Sequence, residues 1–306
     1  MLYQDRRDGS RGLVISNNLL KGTTPWRAFS WFRLFDIFVA LRKVKPDVVH
    51  LHSSRAGFYF RVFFRHSKVF FSPHCYSFQK TNIPFVLRKT LFVTEKILLR
   101  KTFRLVAHWP IEVKLAGEMG ANEKLIYYPS LKTRLQKLNQ PKVSRHENHK
   151  VISVGRVSAQ KDPSLIASLA VSLEAFPDIQ LVWVGAGDDK FTQELTKRGV
   201  FVTGWKNADE IASWYEEACI TIIASKWESG PFTLFESLNH GTPVLARKSD
   251  AIDTYTIDTF KNLEELREKL LFFIHDCGNP SILQDQIAHI TAAQKKYHPL
   301  QKLYDQ

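Results

Sequence analysis

The feature that most constrains the fold is a set of short apolar runs separated by helical stretches. The runs are DVVHL (47–51), KVFFS (68–72), FRLVA (103–107), VISVG (151–155), QLVWVG (180–185), CITIIA (219–224) and PVLA (243–246). Strands that are apolar on both faces, with helices between them, predict parallel sheets covered on both sides. Helices are predicted over 29–44, 55–66, 83–101, 163–174, 189–198, 208–218, 232–240 and 262–275, with one more over 280–296. A chain of 306 residues accommodates two such α/β domains. The polar stretch LNQPKVSRHENHK (138–150) lacks an apolar period and reads as their connection. The predicted organisation is an N-terminal Rossmann-like domain over 1–140, a linker over 141–150 and a second Rossmann-like domain over 151–285. A helix and tail over 286–306 are expected to return toward the first domain.

The net charge of +13 is unevenly spread. Residues 1–140 carry +17 and residues 141–306 carry −4. Such asymmetry marks the first half as facing an anionic partner, nucleic acid or an anionic membrane. No nucleic-acid-binding module is recognisable, so no nucleic acid partner is expected. The segment 82–104 reads as a basic amphipathic helix, with six Lys or Arg and one acid, Glu95. Such a helix suits an anionic membrane surface, though one buried face of a domain helix explains it equally well. Its Phe85, Leu91, Phe92 and Leu98 are the expected apolar contacts, and FYFRVFFR (58–65) adds to that surface.

No run is long and apolar enough to span a bilayer, and the charged start lacks the pattern of a secretory signal. Cys75, Cys219 and Cys277 lie far apart in sequence, which predicts neither a disulfide framework nor a zinc site. The predicted location is cytoplasmic, peripheral on the inner face of the membrane.

Candidate chemistry gathers behind the strands of the second half. Arg156 and Lys161 follow the first of them, where two cations could neutralise a diphosphate. An ordinary solvated loop explains them too. Gly185 and Gly187 follow the next strand, and a tight βα turn is the simpler reading of that pair. Gly204 and Trp205 follow a third, where the ring could hold a nucleobase or simply pack. In SKWESGPFTLFESLNHGTPVLA (225–246), the Ser229–Gly230–Pro231 turn leads into a helix. The amides of Phe232, Thr233 and Leu234 at its start would form an anion site. Glu228 before the turn could reach a sugar hydroxyl, and Glu236 inside the helix could reach a ribose. A capping acid and an exposed helical acid would look the same in sequence.

Together these pieces resemble the retaining glycosyltransferases of family 4, with the GT-B fold. The matching motifs are Gly155-Arg156-x4-Lys161, VGAGD (184–188), TGW (203–205), Glu228-x7-Glu236 and HGTPV (240–244). In the first half, KPDVVHLH (45–52) and SPHC (72–75) resemble the family's corresponding segments. The resemblance implies two Rossmann-like domains across a cleft and a nucleotide diphosphate sugar as donor, a UDP-sugar before a GDP-sugar. It implies Arg156 and Lys161 on the diphosphate, Glu228 on the donor sugar, Glu236 on the ribose and His74 reaching the donor sugar from the other domain. The remaining donor contacts would be Gly155, Gly185, Gly187, Trp205, Gly230, Phe232, Thr233 and Leu234.

The acceptor implied is lipid-linked or a saccharide, edged by His52 and Ser53, with transfer under retention and neither metal nor other cofactor. His50 and His52 are read as projecting to opposite faces of their strand, which removes them as a joint metal site. Only 44 residues precede Lys45, where the family has a first strand, a Gly-rich loop and a helix, so the N-terminal domain is expected to be incomplete. The segment 12–22 reads as a later strand. The family's Gly-Gly turn after 241–246 is also missing, its place taken by a short glycine-free loop. Two other readings stand beside a transferase: a sugar-nucleotide epimerase of the same fold, and a non-catalytic relative that binds nucleotide or membrane.

Overall fold

A computed structural model describes residues 2–4, 24–26, 41–43, 45–66, 68–122, 126–127, 149–230, 232–255, 257–277 and 279–295. The chain forms two compact units, Met1–Val48 and Val49–Gln306. In the first, β1 (Leu2–Gln4) and β2 (Thr24–Trp26) pair in parallel, Tyr3 opposite Pro25. The strand expected within 12–22, most of the helix over 29–44, residues 138–148 of the connection and the tail after Lys295 lie outside the described residues.

The second unit holds two parallel sheets. The smaller runs β3 (Val49–His52), β4 (Val69–Ser72), β5 (Arg104–Val106) and β6 (Ile126–Tyr127), each beside the next. Between them lie α1 (Ser54–Phe63), α2 (Phe85–Leu98) and α3 (Pro110–Glu118). Ser53 caps α1, its hydroxyl accepting from the Ala56 amide. Arg61 of α1 is buried against Glu95 of α2 at 2.6 Å, with its guanidinium 3.8 Å over the Phe71 ring. Glu95, the lone acid of the basic helix, is thus the anchor of its inner face.

The strands of the larger sheet are β7 (His149–Val154), β8 (Ile179–Val184), β9 (Phe201–Val202), β10 (Ile220–Ile223), β11 (Val244–Arg247) and β12 (Thr259–Phe260). Across the sheet they stand in the order β12-β11-β10-β7-β8-β9. Its helices are α4 (Pro163–Ser172), α5 (Asp189–Lys197), α6 (Ala208–Glu217), α7 (Phe232–Asn239), α8 (Asp250–Asp253), α9 (Leu263–His275) and α10 (Pro280–Lys295). This is the doubly wound order, which reverses direction between β7 and β10 and opens a crevice at their carboxyl ends.

Alternation along the strands fills both faces. Val151, Trp183, Ile222 and Leu245 pack with Ile166 and Leu169 of α4 and Leu266 and Leu270 of α9. Ile152, Val182 and Val184 pack with Tyr215 of α6. A third cluster joins Ile223 and Val244 to Leu234 and Leu238 of α7, Leu283 and Ile290 of α10, and Trp109 and Ile111 from the α3 region.

Within the described residues, the predicted strands and helices match these elements to within a few residues. β7 begins at His149 and takes in the last two residues of the expected linker, because the His149 amide donates to Asp178 O and Lys150 O accepts from the Cys219 amide. The helix α3 is absent from the sequence reading. A buried glutamate, Glu112, interrupts its apolar pattern, although Trp109-Pro110 is a first-turn proline signal.

Candidate active site

The loops after β7 and β10 meet at the crevice. The Lys161 ammonium lies 2.5 Å from Glu228 Oε1, which also accepts from the Ser225 hydroxyl at 2.8 Å. Gln160 ties the same loops together, donating to Trp227 O and accepting from the Lys226 amide. Beneath them Ser153, Lys161, Ser225 and Thr233 line a small cavity, so the strand ends and the start of α7 converge on one point. The first amides of a helix have no partner within it and suit an anion. Asp162 precedes α4 with a left-handed backbone, and its carboxylate, which does not cap the helix, is buried between Arg247 (2.5 Å) and Lys226 (2.9 Å). The sequence reading missed this acid.

The other expected residues fall around that point with distinct roles. Arg156 is exposed on the loop leaving β7. Gly155 (φ 135°) faces the Lys161 stem, where a Cβ would stand 3.3 Å from Cε. The glycines of VGAGD have a packing cause. A Cβ on Gly185 would sit 2.2 Å from Gly155 O, and one on Gly187 2.1 Å from Val157 O. They let the loops after β7 and β8 cross, with Val157 donating to Ala186 O and Asp188 donating to Val157 O. Gly185 also bridges Gly204, which brings the neighbouring Trp205, half exposed at 47%, to the same rim. Glu236 is exposed one turn into α7 and accepts from the buried Tyr215 hydroxyl at 3.2 Å.

Gly230 packs on the Trp109 indole, where a Cβ would stand 1.7 Å from Cδ2. Trp109 also meets Phe232 edge-on and stacks on Phe235. Close packing against the smaller sheet's layer therefore accounts for that glycine.

Histidines gather at the carboxyl end of the smaller sheet. His52 Nδ1 lies 2.9 Å from His74 Nε2, and His74 stacks on His108 at 4.6 Å. His50 and His108 both hydrogen-bond the Ser72 hydroxyl. The expectation that His50 and His52 face opposite ways is wrong: residues two apart on a strand share a face, and their rings are 4.2 Å apart. Burial lowers the pKa of His74 to about 4 and that of His50 to about 3, with neighbouring imidazoles adding to both shifts. Burial also lowers that of His52. All three are thus neutral at pH 7 and present lone pairs and N–H groups rather than charge.

Buried Glu112 positions this group. Its carboxylate accepts from the Cys75 amide at 3.1 Å and from the His108 amide at 2.7 Å. Burial pushes its pKa up to about 7 against those N–H donors. Ser53, His74 and Cys75 have positive φ, and strain of this kind, roughly 1–3 kcal/mol per residue, gathers at functional sites. The two sheets' loops touch directly, since Ser229 Oγ donates to Gln79 Oε1 at 3.0 Å and Gln79 Nε2 reaches Glu228 O at 3.4 Å. Sequence reasoning missed Gln79, Trp109 and Glu112.

The sequence model of the glycosyl transferases group 1 matches residues 136–296, more than half of the chain. The chain belongs to this family. It is 26% identical over 254 residues to a 41.2 kDa protein of the cps region of Klebsiella pneumoniae, covering 78% of this chain and 70% of the relative. It is 25% identical over 238 residues to the UDP-Gal:alpha-D-GlcNAc-diphosphoundecaprenol alpha-1,3-galactosyltransferase of Escherichia coli, covering 69% of this chain and 60% of that relative. Among solved structures it resembles Anabaena Alr3699/HepE, crystallised with UDP, at a TM-score of 0.64 and 12% identity. That match covers 92% of this chain and 84% of the other and shows a shared GT-B fold.

Proposed function

We propose that this group 1 transferase moves a hexosyl or N-acetylhexosaminyl unit from a nucleotide diphosphate sugar, a UDP-sugar by preference, to a lipid-linked or saccharide acceptor with retention and without a metal. The observation that carries this reading is the Lys161–Glu228 pair at the β7/β10 crevice, beside the start of α7. A diphosphate bound there would draw Lys161 away from Glu228. The released carboxylate would then accept from donor-sugar hydroxyls. Negative charge grows on the diphosphate as the glycosyl bond breaks, and Arg156, Lys161 and the amides of Phe232, Thr233 and Leu234 would stabilise it. Glu236 would hold the ribose. His74, neutral and strained, would face the donor sugar from the smaller sheet. The galactosyltransferase relative and the UDP complex of the Anabaena protein support the donor class. The test is incubation with labelled UDP-sugars and an undecaprenyl-diphosphate glycan or membranes, followed by the anomeric configuration of the product. Transfer with retained configuration is expected, and inverted product or oxidised donor would refute the reading.

Replacing Glu236 should weaken UDP binding. One set of hydrogen bonds to a charged group contributes about 1.5–3 kcal/mol, or roughly 10- to 150-fold in affinity. Calorimetry on Glu236→Ala reads the loss, and Glu236→Gln keeps an acceptor for Tyr215. Unchanged affinity in both variants removes Glu236 from the site.

An acceptor in a membrane would require docking, and the outer side of α2 would be the face for it. Its outer side exposes Phe85 (64%), Val86 (74%) and Ile97 (58%), with Leu87, Val93, Lys89 and Lys96 also exposed, as is Arg100 in the turn just beyond it. Of the apolar contacts expected from sequence, only Phe85 is on that side. Leu98 is buried, while Leu91 and Phe92 are partly so, Phe92 packing edge-on to Phe78. The FYFRVFFR segment also turns largely inward, leaving Val62 and Phe63 as its exposed apolar residues. No described helix is long and apolar enough to cross a membrane.

Binding to anionic vesicles should therefore need both charge, screened over ~8 Å at physiological salt, and apolar insertion. Replacing Lys89, Lys96 and Arg100 with Gln, or Phe85 and Val86 with Ser, should each lower sedimentation with anionic vesicles. Equal binding to neutral vesicles, or none to either, would refute the docking face.

A further inference from the structure

At the opposite end of the larger sheet, three soft ligands converge. His149 opens β7, Cys219 immediately precedes β10 and Cys277 follows α9. Their ligand atoms all lie within 4.8 Å of one another, and Cys219 Sγ is 3.6 Å from His149 Nδ1. Tetrahedral zinc, with bonds of about 2.3 Å to sulfur and about 2.0–2.1 Å to nitrogen, separates such a pair by roughly 3.5 Å. On the far side of the imidazole, Nε2 faces Asp178 Oδ2 at 3.8 Å, close by but longer than a hydrogen bond. A carboxylate on the far nitrogen is the usual partner of a metal-bound histidine.

The sequence reading excluded a zinc site because the cysteines are distant along the chain. The fold overturns that ground. The Cys219 amide donates to Lys150 O, so β7 and β10 start side by side. The Cys277 amide donates to Ile274 O, which turns the chain at the end of α9. His149 and Cys277 are partly buried and form the open side of the group, while the Cys219 side chain lies deeper.

We propose that His149, Cys219 and Cys277 bind one thiophilic divalent cation of the zinc class, with solvent in the fourth position. Two sulfurs and an imidazole select such an ion over magnesium or calcium. The site stands at the amino ends of β7 and β10, away from the crevice at their carboxyl ends. Its role is to staple the starts of two central strands to the end of α9, not to assist transfer.

The test is titration of reduced, chelator-stripped protein with Zn2+ and with Co2+. The expected result is one equivalent bound, a thiolate-to-cobalt charge-transfer band with tetrahedral ligand-field bands, and a thermal midpoint that rises with zinc. Cys219→Ser and Cys277→Ser should abolish the charge-transfer site, and Cys75→Ser should leave it intact. Asp178→Asn, which keeps all three ligands, should weaken zinc binding by about 10- to 100-fold. X-ray absorption of zinc-loaded wild type, which needs no variant to fold, should read two sulfurs and one imidazole. No uptake by the reduced protein, cobalt spectra without thiolate bands, or equal uptake by both cysteine variants would each overturn the site.

Discussion

Lys161→Ala should lower turnover by about 10²–10³-fold, the usual effect of removing one preorganised group from a developing charge. The donor Michaelis constant should change much less, because the diphosphate gains charge mainly as the glycosyl bond breaks. Arg156→Ala should act in the same direction. The ion pair complicates the first variant. Glu228 is only 12% exposed, so without Lys161 its carboxylate is left nearly buried against the Ser225 hydroxyl. Some stability is lost with it. Lys161→Ala combined with Glu228→Gln removes that burden, and its turnover should stay low. Steady-state kinetics on these variants separates binding from chemistry. A raised Michaelis constant with turnover intact would make Lys161 a donor-binding residue only.

Gly185→Ala should be the most damaging single methyl in the larger sheet. The position combines φ of 143° with a carbonyl oxygen 2.2 Å from where Cβ would stand, and that oxygen belongs to Gly155 at the mouth of the crevice. Overpacking and backbone strain of this kind cost about 2–4 kcal/mol together. Chemical denaturation should show that loss. UDP affinity should fall as well, because relief of the clash moves the loop bearing Arg156. Gly199→Ala is the control, since nothing stands within 4 Å of its Cβ and only its φ of 81° opposes the change. Equal stability of Gly185→Ala and wild type would mean that the loops after β7 and β8 do not cross as described.

The larger sheet is legible in sequence because its strands are apolar on both faces. All four residues of β10 are buried, so no other element satisfies that run. The helix α7 is legible from its turn, and so is the placing of Glu228 before that turn and Glu236 on the helix. What the sequence does not show is pairing across distance. Lys161 and Glu228 are 67 residues apart and meet only because β7 and β10 are neighbours. His149 and Cys219, 70 apart, meet for the same reason at the other end of those strands.

The helix α3 is hidden because Glu112, a charged residue type, serves a buried hydrogen-bonding role there. The basic segment over 82–104 reads correctly as amphipathic where it is helical, over Phe85–Leu98, but Arg100 and Lys101 fall in the turn that follows and Arg104 in β5. Its faces are assigned wrongly, because packing on Arg61 and Phe78 draws Glu95, Phe92 and Leu98 inward and leaves Val86, Val93 and Ile97 outside.

The most direct test of the donor site is diffraction from crystals soaked in UDP. The diphosphate is expected on the amides of Phe232, Thr233 and Leu234, with Arg156 and Lys161 against its oxygens. The ribose hydroxyls are expected on Glu236, with Glu228 released from Lys161. UDP bound elsewhere on the chain, or bound in this crevice with the Lys161–Glu228 pair intact and Glu236 uninvolved, would contradict that placement.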